Sequence, residues 1–134
     1  IVNLPMDDFE ENGAMVNAIQ RRADIVVQKS LVEGFGLTVS EAMWKGRPVV
    51  ASAVGGINDQ IDHGRSGLLV EDPSDLEGFA KAFRVLMDDP EMADQMGKAA
   101  REKVTQRFLA VPRLVEYADL ITSVNGGSGR SPEL

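Results

Sequence analysis

The sequence predicts an α/β domain, a parallel sheet with helices on its faces, and three observations carry that prediction. Short apolar runs rich in Val, Ile and Leu alternate with longer stretches of helical period. A glycine-containing turn joins one such run to a helix-like segment. The strand-like units are too short and too regularly separated by helical ones to form hairpins, so successive strands must run parallel through crossovers.

Ile1 to Leu4 is a short apolar run stopped by Pro5, a strand expectation. Met15, Ile19 and Ala23 recur every four residues, which suits one face of an amphipathic helix. Ile25-Val26-Val27 is a compact β-branched strand. Thr38 to Lys45 reads as a helix ended by Gly46, and Arg47-Pro48 leads into a buried strand, Val49-Val50-Ala51. Gly67-Leu68-Leu69-Val70 is a further short strand between turn residues. The second half is helical. Ser74-Asp75-Leu76-Glu77 has the composition of a capping box, after which Leu76, Phe79, Ala80, Phe83 and Leu86 are expected to line one face. Asp89-Pro90 supplies an N-cap and a proline at the first helical position. Met92, Met96, Ala99, Ala100 and Val104 form the stripe of that helix. A last helix is expected around Leu114, Val115, Ala118 and Ile121. Residues 1–124 thus read as one domain, and 125–134, with three Gly, two Ser and a Pro, as a flexible tail.

With 134 residues, 43% hydrophobic and 26% charged, the chain has the composition of one globular domain that needs no covalent staple. There is no cysteine, so disulfides, thiolate metal sites and a Cys nucleophile are excluded, and a single histidine, His63, cannot build a multi-histidine metal cluster. No metal site is expected. A cysteine-free chain accords with a cytoplasmic location. The net charge of −7 argues against a nucleic-acid or anionic-membrane surface, both of which call for basic patches. No apolar run approaches the ~20 residues of a membrane span. The amino terminus has neither signal-peptide character nor an initiator Met, which raises the expectation that the chain is a fragment.

Ligands in parallel α/β sheets bind at the carboxyl ends of strands beside helix amino termini. That directs attention to the segment between Val27 and Thr38, where Glu33 precedes Gly34-Phe35-Gly36 and a helix. The two glycines permit positive-φ backbone and close approach of a ligand to main-chain amides. The helix that follows offers unpaired N–H groups and the positive end of its dipole, physical grounds for an anion site over Gly36 to Val39. Glu41 has two readings. It closes a second capping-box pattern, Thr38-Val39-Ser40-Glu41, with Thr38 as N-cap. Alternatively it is a ligand carboxylate, in which case repulsion from phosphate leaves a hydroxylated neutral group such as ribose as its partner. Glu33 is a loop glutamate with no structural pattern around it, and most such residues are simply solvated.

Two glutamates, Glu33 and Glu41, with seven residues between them that include Gly34-Phe35-Gly36, followed by Ala42-Met43, Gly46 and Pro48-Val49-Val50, resemble the retaining GT-B glycosyltransferases of the sucrose and trehalose synthase family. The resemblance extends through Ala23 to Val27, Gly55-Gly56-Ile57 and Gly64 to Val70. It implies a Rossmann-like fold, here part of the carboxy-terminal domain of a two-domain enzyme with its active site between the domains. By this resemblance Glu33 is the catalytic-site glutamate that orients the hydroxyls of the transferred sugar. Gly34, Phe35 and Gly36 line the sugar pocket, Leu37 and Thr38 present amides to the distal phosphate, and Glu41 holds the ribose. Val16 to Asp24, Glu41 to Gly46 and Gln60 are most similar to the trehalose branch, both synthases and phosphorylases. The sequence departs from the wider family, which often has Pro-Glu after the glycine pair where this chain has Asn58-Asp59. Trp44 is expected in the core and His63 in a surface turn.

The resemblance further implies front-face transfer with retention, no cofactor, and a nucleotide-sugar such as UDP-, ADP- or GDP-glucose as substrate. Expected partners are that sugar nucleotide, a sugar acceptor, an acceptor domain preceding Ile1 and a second copy in a homodimer. The diphosphate-clamping Arg and Lys of the family also fall before Ile1, so the isolated segment is expected to be inactive. Two alternatives stand beside a trehalose-forming glucosyltransferase: a trehalose phosphorylase using inorganic phosphate, and a non-catalytic nucleotide-binding module.

Overall fold

The computed structural model describes residues 7–108. The expected strand at Ile1 to Leu4, the last helix and the tail lie outside the described residues. Among the described residues, five helices and three strands follow one another as α1 (Phe9–Arg22), β1 (Val26–Gln28), α2 (Leu37–Trp44), β2 (Val49–Ser52), α3 (Ile57–Gln60), β3 (Leu68–Val70), α4 (Leu76–Asp88) and α5 (Pro90–Arg107). The strands form one parallel sheet in the order β1-β2-β3, with Val26 opposite Val49 and Val50 opposite Leu68. The α/β class read from the sequence is the class observed.

The central strand β2 is buried along its whole length, as a strand covered by helices on both faces must be. Its side chains alternate between two apolar clusters. Val49 and Ala51 join Val39 and Met43 of α2, Ile57 of α3 and Val104 of α5 on one face. Val50 joins Leu68 and Val70 of β3, Phe79 and Leu86 of α4, and Met96 of α5 on the other. Helix α5 serves both clusters, so it fastens the two helical layers together. Its close approach to α2 depends on Gly97, where a Cβ would strike the carbonyl of Gly46. Gly46 itself ends α2 with φ +70°, the left-handed turn expected of a glycine after a helix.

Several local expectations need correction. Helix α1 forms where the apolar period placed it, but Ile19 is 51% exposed, whereas Gln20 is buried. The helix turns toward α2 through polar contacts instead: Lys45 Nζ donates to Gln20 Oε1 at 2.5 Å. Helix α4 starts one residue later than the capping-box pattern implied. Asp75, not Ser74, is the N-cap and accepts from the Gly78 amide at 2.9 Å. Its inward face is Phe79, Ala82 and Leu86, and Leu76 is left 67% exposed. Trp44 is not a core residue either. It is 42% exposed, and the Arg101 guanidinium sits 5.4 Å from the centre of its ring. By contrast, the Asp89 cap and Pro90 start of α5 are as read, with Asp89 accepting from the Met92 amide at 2.9 Å.

One ion pair gives a pH-dependent tie between the α3–β3 connection and α5. Lys103 Nζ lies 2.7 Å from Asp62 Oδ1. The hydrogen bond from Lys103 is the main cause that holds the Asp62 carboxyl below its ordinary value, with the charges of Lys103, Arg65 and Arg107 adding and burial opposing. A carboxyl pKa depressed by folding contributes stability above the ordinary carboxylate range, and this is lost as pH falls through the depressed value. Because the carboxylate is half exposed, the contribution is at most about 1 kcal/mol. Lys103→Met is therefore expected to lower the melting temperature by a few degrees at pH 7. In thermal melts over a pH series, its difference from the unmodified protein should shrink to nothing in strong acid.

Candidate functional site

The predicted site residues occupy one continuous segment at the carboxyl end of β1. The strand ends at Gln28, and the chain then crosses the end of the sheet to reach α2 at Leu37. Glu33 is half-buried in this crossing. Its Oε2 accepts from Ser30 Oγ at 3.3 Å, and Ser30 Oγ accepts from Gln28 Nε2 at 2.8 Å. The carboxylate is thus steadied from the strand by one long hydrogen bond and keeps acceptor capacity for a ligand. Gly34 and Phe35 are exposed, and the Phe35 ring packs edge-on against Phe108 at 5.8 Å.

Gly36 is the N-cap of α2, in the left-handed region at φ +82°, and no side chain caps the helix. This corrects the capping-box reading: Thr38 lies inside the first turn, and Glu41 is too far along to reach back to the N-cap amide. A left-handed N-cap is open to glycine and strained for Thr, which moves the helix start two residues earlier. The Val39 amide bonds to the Gly36 carbonyl at 3.0 Å. The Leu37 and Thr38 amides, at the first two helical positions, have no intrahelical acceptor. Neither residue is buried, so these amides and the helix dipole offer a place for an anion.

Glu41 turns to the other side of α2, toward α1. Its Oε2 accepts from Gln20 Nε2 at 3.4 Å, and with Lys45 it lines an open groove of about 570 Å³ against Phe9, Asn12 and Val16. The structure therefore brings Glu33, the glycine turn and the start of α2 together, and sets Glu41 at a separate groove on the α1 side of the same helix. A second cavity, about 280 Å³, lies at the opposite end of the sheet beside Ile25 and Pro48 and holds none of the predicted residues. Parallel sheets bind ligands at the carboxyl ends of their strands, which favours the α2 site. His63 is exposed, and its Nδ1 accepts from the Leu69 amide at 3.0 Å, a role in shaping the turn before β3.

Sequence reasoning missed the scaffold beneath this site. Gly55 and Gly56 press directly under Glu33 to Phe35. A Cβ on Gly55 would collide with the Glu33 carbonyl, and one on Gly56 would lie 2.6 Å from the Gly34 carbonyl oxygen. The Gly56 amide donates to that same oxygen at 2.8 Å. Gln60, fully buried on α3, donates its carboxamide N–H to the Phe35 carbonyl. The consecutive glycines are visible in the sequence, but nothing local says which backbone they meet.

The parallel sheet, the glycine turn and the helix start define an α/β domain with a candidate ligand site at one end of its sheet, and comparison with known proteins gives the class. Residues 9–103 match the glycosyl transferases group 1 family, and the chain belongs to that family. It is 45% identical over 111 residues to a trehalose synthase of Pyrococcus horikoshii, covering 83% of this chain and 26% of that protein. It is 52% identical over 100 residues to a trehalose synthase of Rubrobacter xylanophilus, covering 75% and 23%. The chain therefore spans about a quarter of the length of the curated relatives it matches. Among solved structures, sucrose-phosphate synthase from Thermosynechococcus elongatus superposes with a TM-score of 0.74 at 33% identity, covering 93% of this chain and 30% of that one. Anabaena HepE, solved in complex with UDP and glucose, gives 0.73 at 28% identity, covering 81% and 29%. These neighbours share the GT-B architecture. Among the described residues no helix is long and apolar enough to cross a membrane, and no group of three His, Cys, Asp or Glu side chains could hold a metal ion.

Proposed function

We propose that this segment is the donor-binding part of a retaining glycosyltransferase that moves glucose from a nucleotide-sugar to glucose, giving trehalose. The observation that carries the proposal is the half-buried Glu33 carboxylate, with spare acceptor capacity, in the glycine turn that leads to the open amides of α2. In this reading Glu33 accepts hydrogen bonds from hydroxyls of the transferred sugar. Gly34, Phe35 and Gly36 form the wall beside that sugar, and the Leu37 and Thr38 amides meet the distal phosphate. Glu41, in its groove, accepts from the ribose hydroxyls. No cofactor is invoked: the nucleotide-sugar is the substrate, whether UDP-, ADP- or GDP-glucose, and a cytoplasmic setting suits it.

Retention follows if the acceptor hydroxyl attacks the anomeric carbon from the face the diphosphate leaves. The bond from that carbon to the diphosphate oxygen breaks, the bond to the acceptor oxygen forms, and the acceptor proton passes to the departing diphosphate. The protein's contribution is orientation and stabilisation of leaving-group charge rather than nucleophilic attack. The trehalose synthase relatives favour the synthase over a phosphorylase. Because those relatives extend well beyond the matched segment, transfer is assigned to the intact protein, and the 134 residues alone are expected to be inactive.

The test is to supply the intact protein with free glucose and UDP-, ADP- or GDP-glucose, and to follow trehalose and nucleoside diphosphate together. Equal amounts of both are expected from at least one donor. Trehalose made only from glucose 1-phosphate, with release of inorganic phosphate, would mean a phosphorylase. Nucleotide binding without any transfer would mean a binding module.

A further inference from the structure

Two consecutive peptide carbonyls in the site are tied in the same direction. The Gly34 carbonyl accepts from the Gly56 amide at 2.8 Å, and the Phe35 carbonyl accepts from the Gln60 carboxamide. Both donors belong to the α3 segment. No peptide bond here is cis, and in a trans peptide the C=O and the following N–H point opposite ways. Turning the Gly34 and Phe35 oxygens toward α3 therefore turns the Phe35 and Gly36 N–H groups away from it. These two lead directly into the Leu37 and Thr38 amides at the start of α2. The result is a run of four successive N–H groups, the kind of backbone array that holds anions.

Of the two ties, one is backbone and the other is the Gln60 side chain. Gln60 is 0% exposed, its Nε2 is spent on the Phe35 carbonyl, and its Oε1 has no hydrogen-bond partner. A fully buried carboxamide left half-satisfied costs stability, so it is a poor choice for packing alone. Gly36 stands against the same group, 3.6 Å from Nε2 for a Cβ placed on it, and Ile57 closes the other side at 2.9 Å.

We propose that Gln60 is a positioning residue for the sugar-nucleotide site: by holding the Phe35 carbonyl it turns the Gly36 amide into line with the Leu37 and Thr38 amides that meet the donor diphosphate. This rests on the sugar-nucleotide reading above. Gln60→Met keeps the size but has no donor, and Gln60→Glu keeps the shape but presents an acceptor to a carbonyl. Titration of the intact protein and both variants with UDP, ADP and GDP, and with the corresponding nucleosides, separates the contributions. The diphosphate that binds the unmodified protein is expected to bind each variant about tenfold more weakly, while affinity for the nucleoside stays within twofold. A residue that served only packing would lower the melting temperature without splitting the two affinities. In the unmodified protein, adding the diphosphate should also slow hydrogen exchange of the 35–38 amides, a measurement that needs no variant. If no nucleoside diphosphate binds the unmodified protein, the sugar-nucleotide reading itself falls. If one binds, but the variants bind it within twofold of the original, the role of Gln60 alone is overturned; if the 35–38 amides do not slow, the placing of the diphosphate at the start of α2 falls with it.

Discussion

Replacing Glu33 by glutamine in the intact protein is expected to lower kcat/KM for glucosyl transfer about 10- to 100-fold. The size follows from losing charge-assisted hydrogen bonds to the sugar, each worth about 1.5–3 kcal/mol. The effect should fall on transfer and not on folding. Glu33 is held within the protein by a single 3.3 Å hydrogen bond from Ser30, and a half-buried loop residue with so weak a tie costs under about 1 kcal/mol when changed. Steady-state kinetics beside a thermal melt reads both quantities on one preparation. Full activity and unchanged sugar-nucleotide binding in Glu33→Ala would sink the assignment of Glu33.

The second large effect is expected at Gly55. This residue has φ +51°, and a Cβ there would overlap the backbone carbonyl of Glu33. Alanine in the left-handed region alone costs about 1–2 kcal/mol. The collision adds to that, because the obstacle is main chain and cannot rotate aside. Gly55→Ala should therefore destabilise the domain by several kcal/mol, or force the Glu33 to Phe35 turn away from α3 and abolish donor binding. Denaturant unfolding together with nucleotide titration distinguishes these results. A variant of unchanged stability and affinity would show that the two loops do not interlock as described. Gly64 makes an instructive control. It also has positive φ, +79°, but a Cβ there meets nothing within 4 Å, so alanine should cost only the backbone strain.

The strands were legible because β-branched runs such as Val49-Val50-Ala51 have few alternatives once turns bracket them. The helix starts were less so. Both capping-box patterns failed, for different reasons. At α4 Asp75 outcompeted its neighbour Ser74, and a shift of one residue preserves the helix. At α2 the glycine turn set the start, and Thr38 was drawn into the first turn. That correction simplifies Glu41, whose substitution no longer removes a cap. Its observed protein contact is the 3.4 Å hydrogen bond from Gln20, so a Glu41 variant should test the proposed ribose contact with little cost in stability. Apolar character places Trp44 and Ile19 inward, but α2 settles Val39, Ala42 and Met43 in the core and α1 turns Gln20 toward α2, leaving Trp44 to Arg101 and Ile19 half exposed.

By itself, the sequence determined the α/β class and directed attention to the carboxyl end of β1, with the Glu33-to-Glu41 segment as the candidate site. Those features are local: periodicity, turn glycines and the polarity of one helix start are all written within a few consecutive residues. Only the tertiary structure decided what holds that segment in place. The Gly55–Gly56 contact under Glu33 to Phe35 and the Gln60 hydrogen bond to the Phe35 carbonyl join residues about twenty or more positions apart. Their meeting depends on how far apart β1 and β2 stand and how α3 packs against α2, which no local pattern encodes.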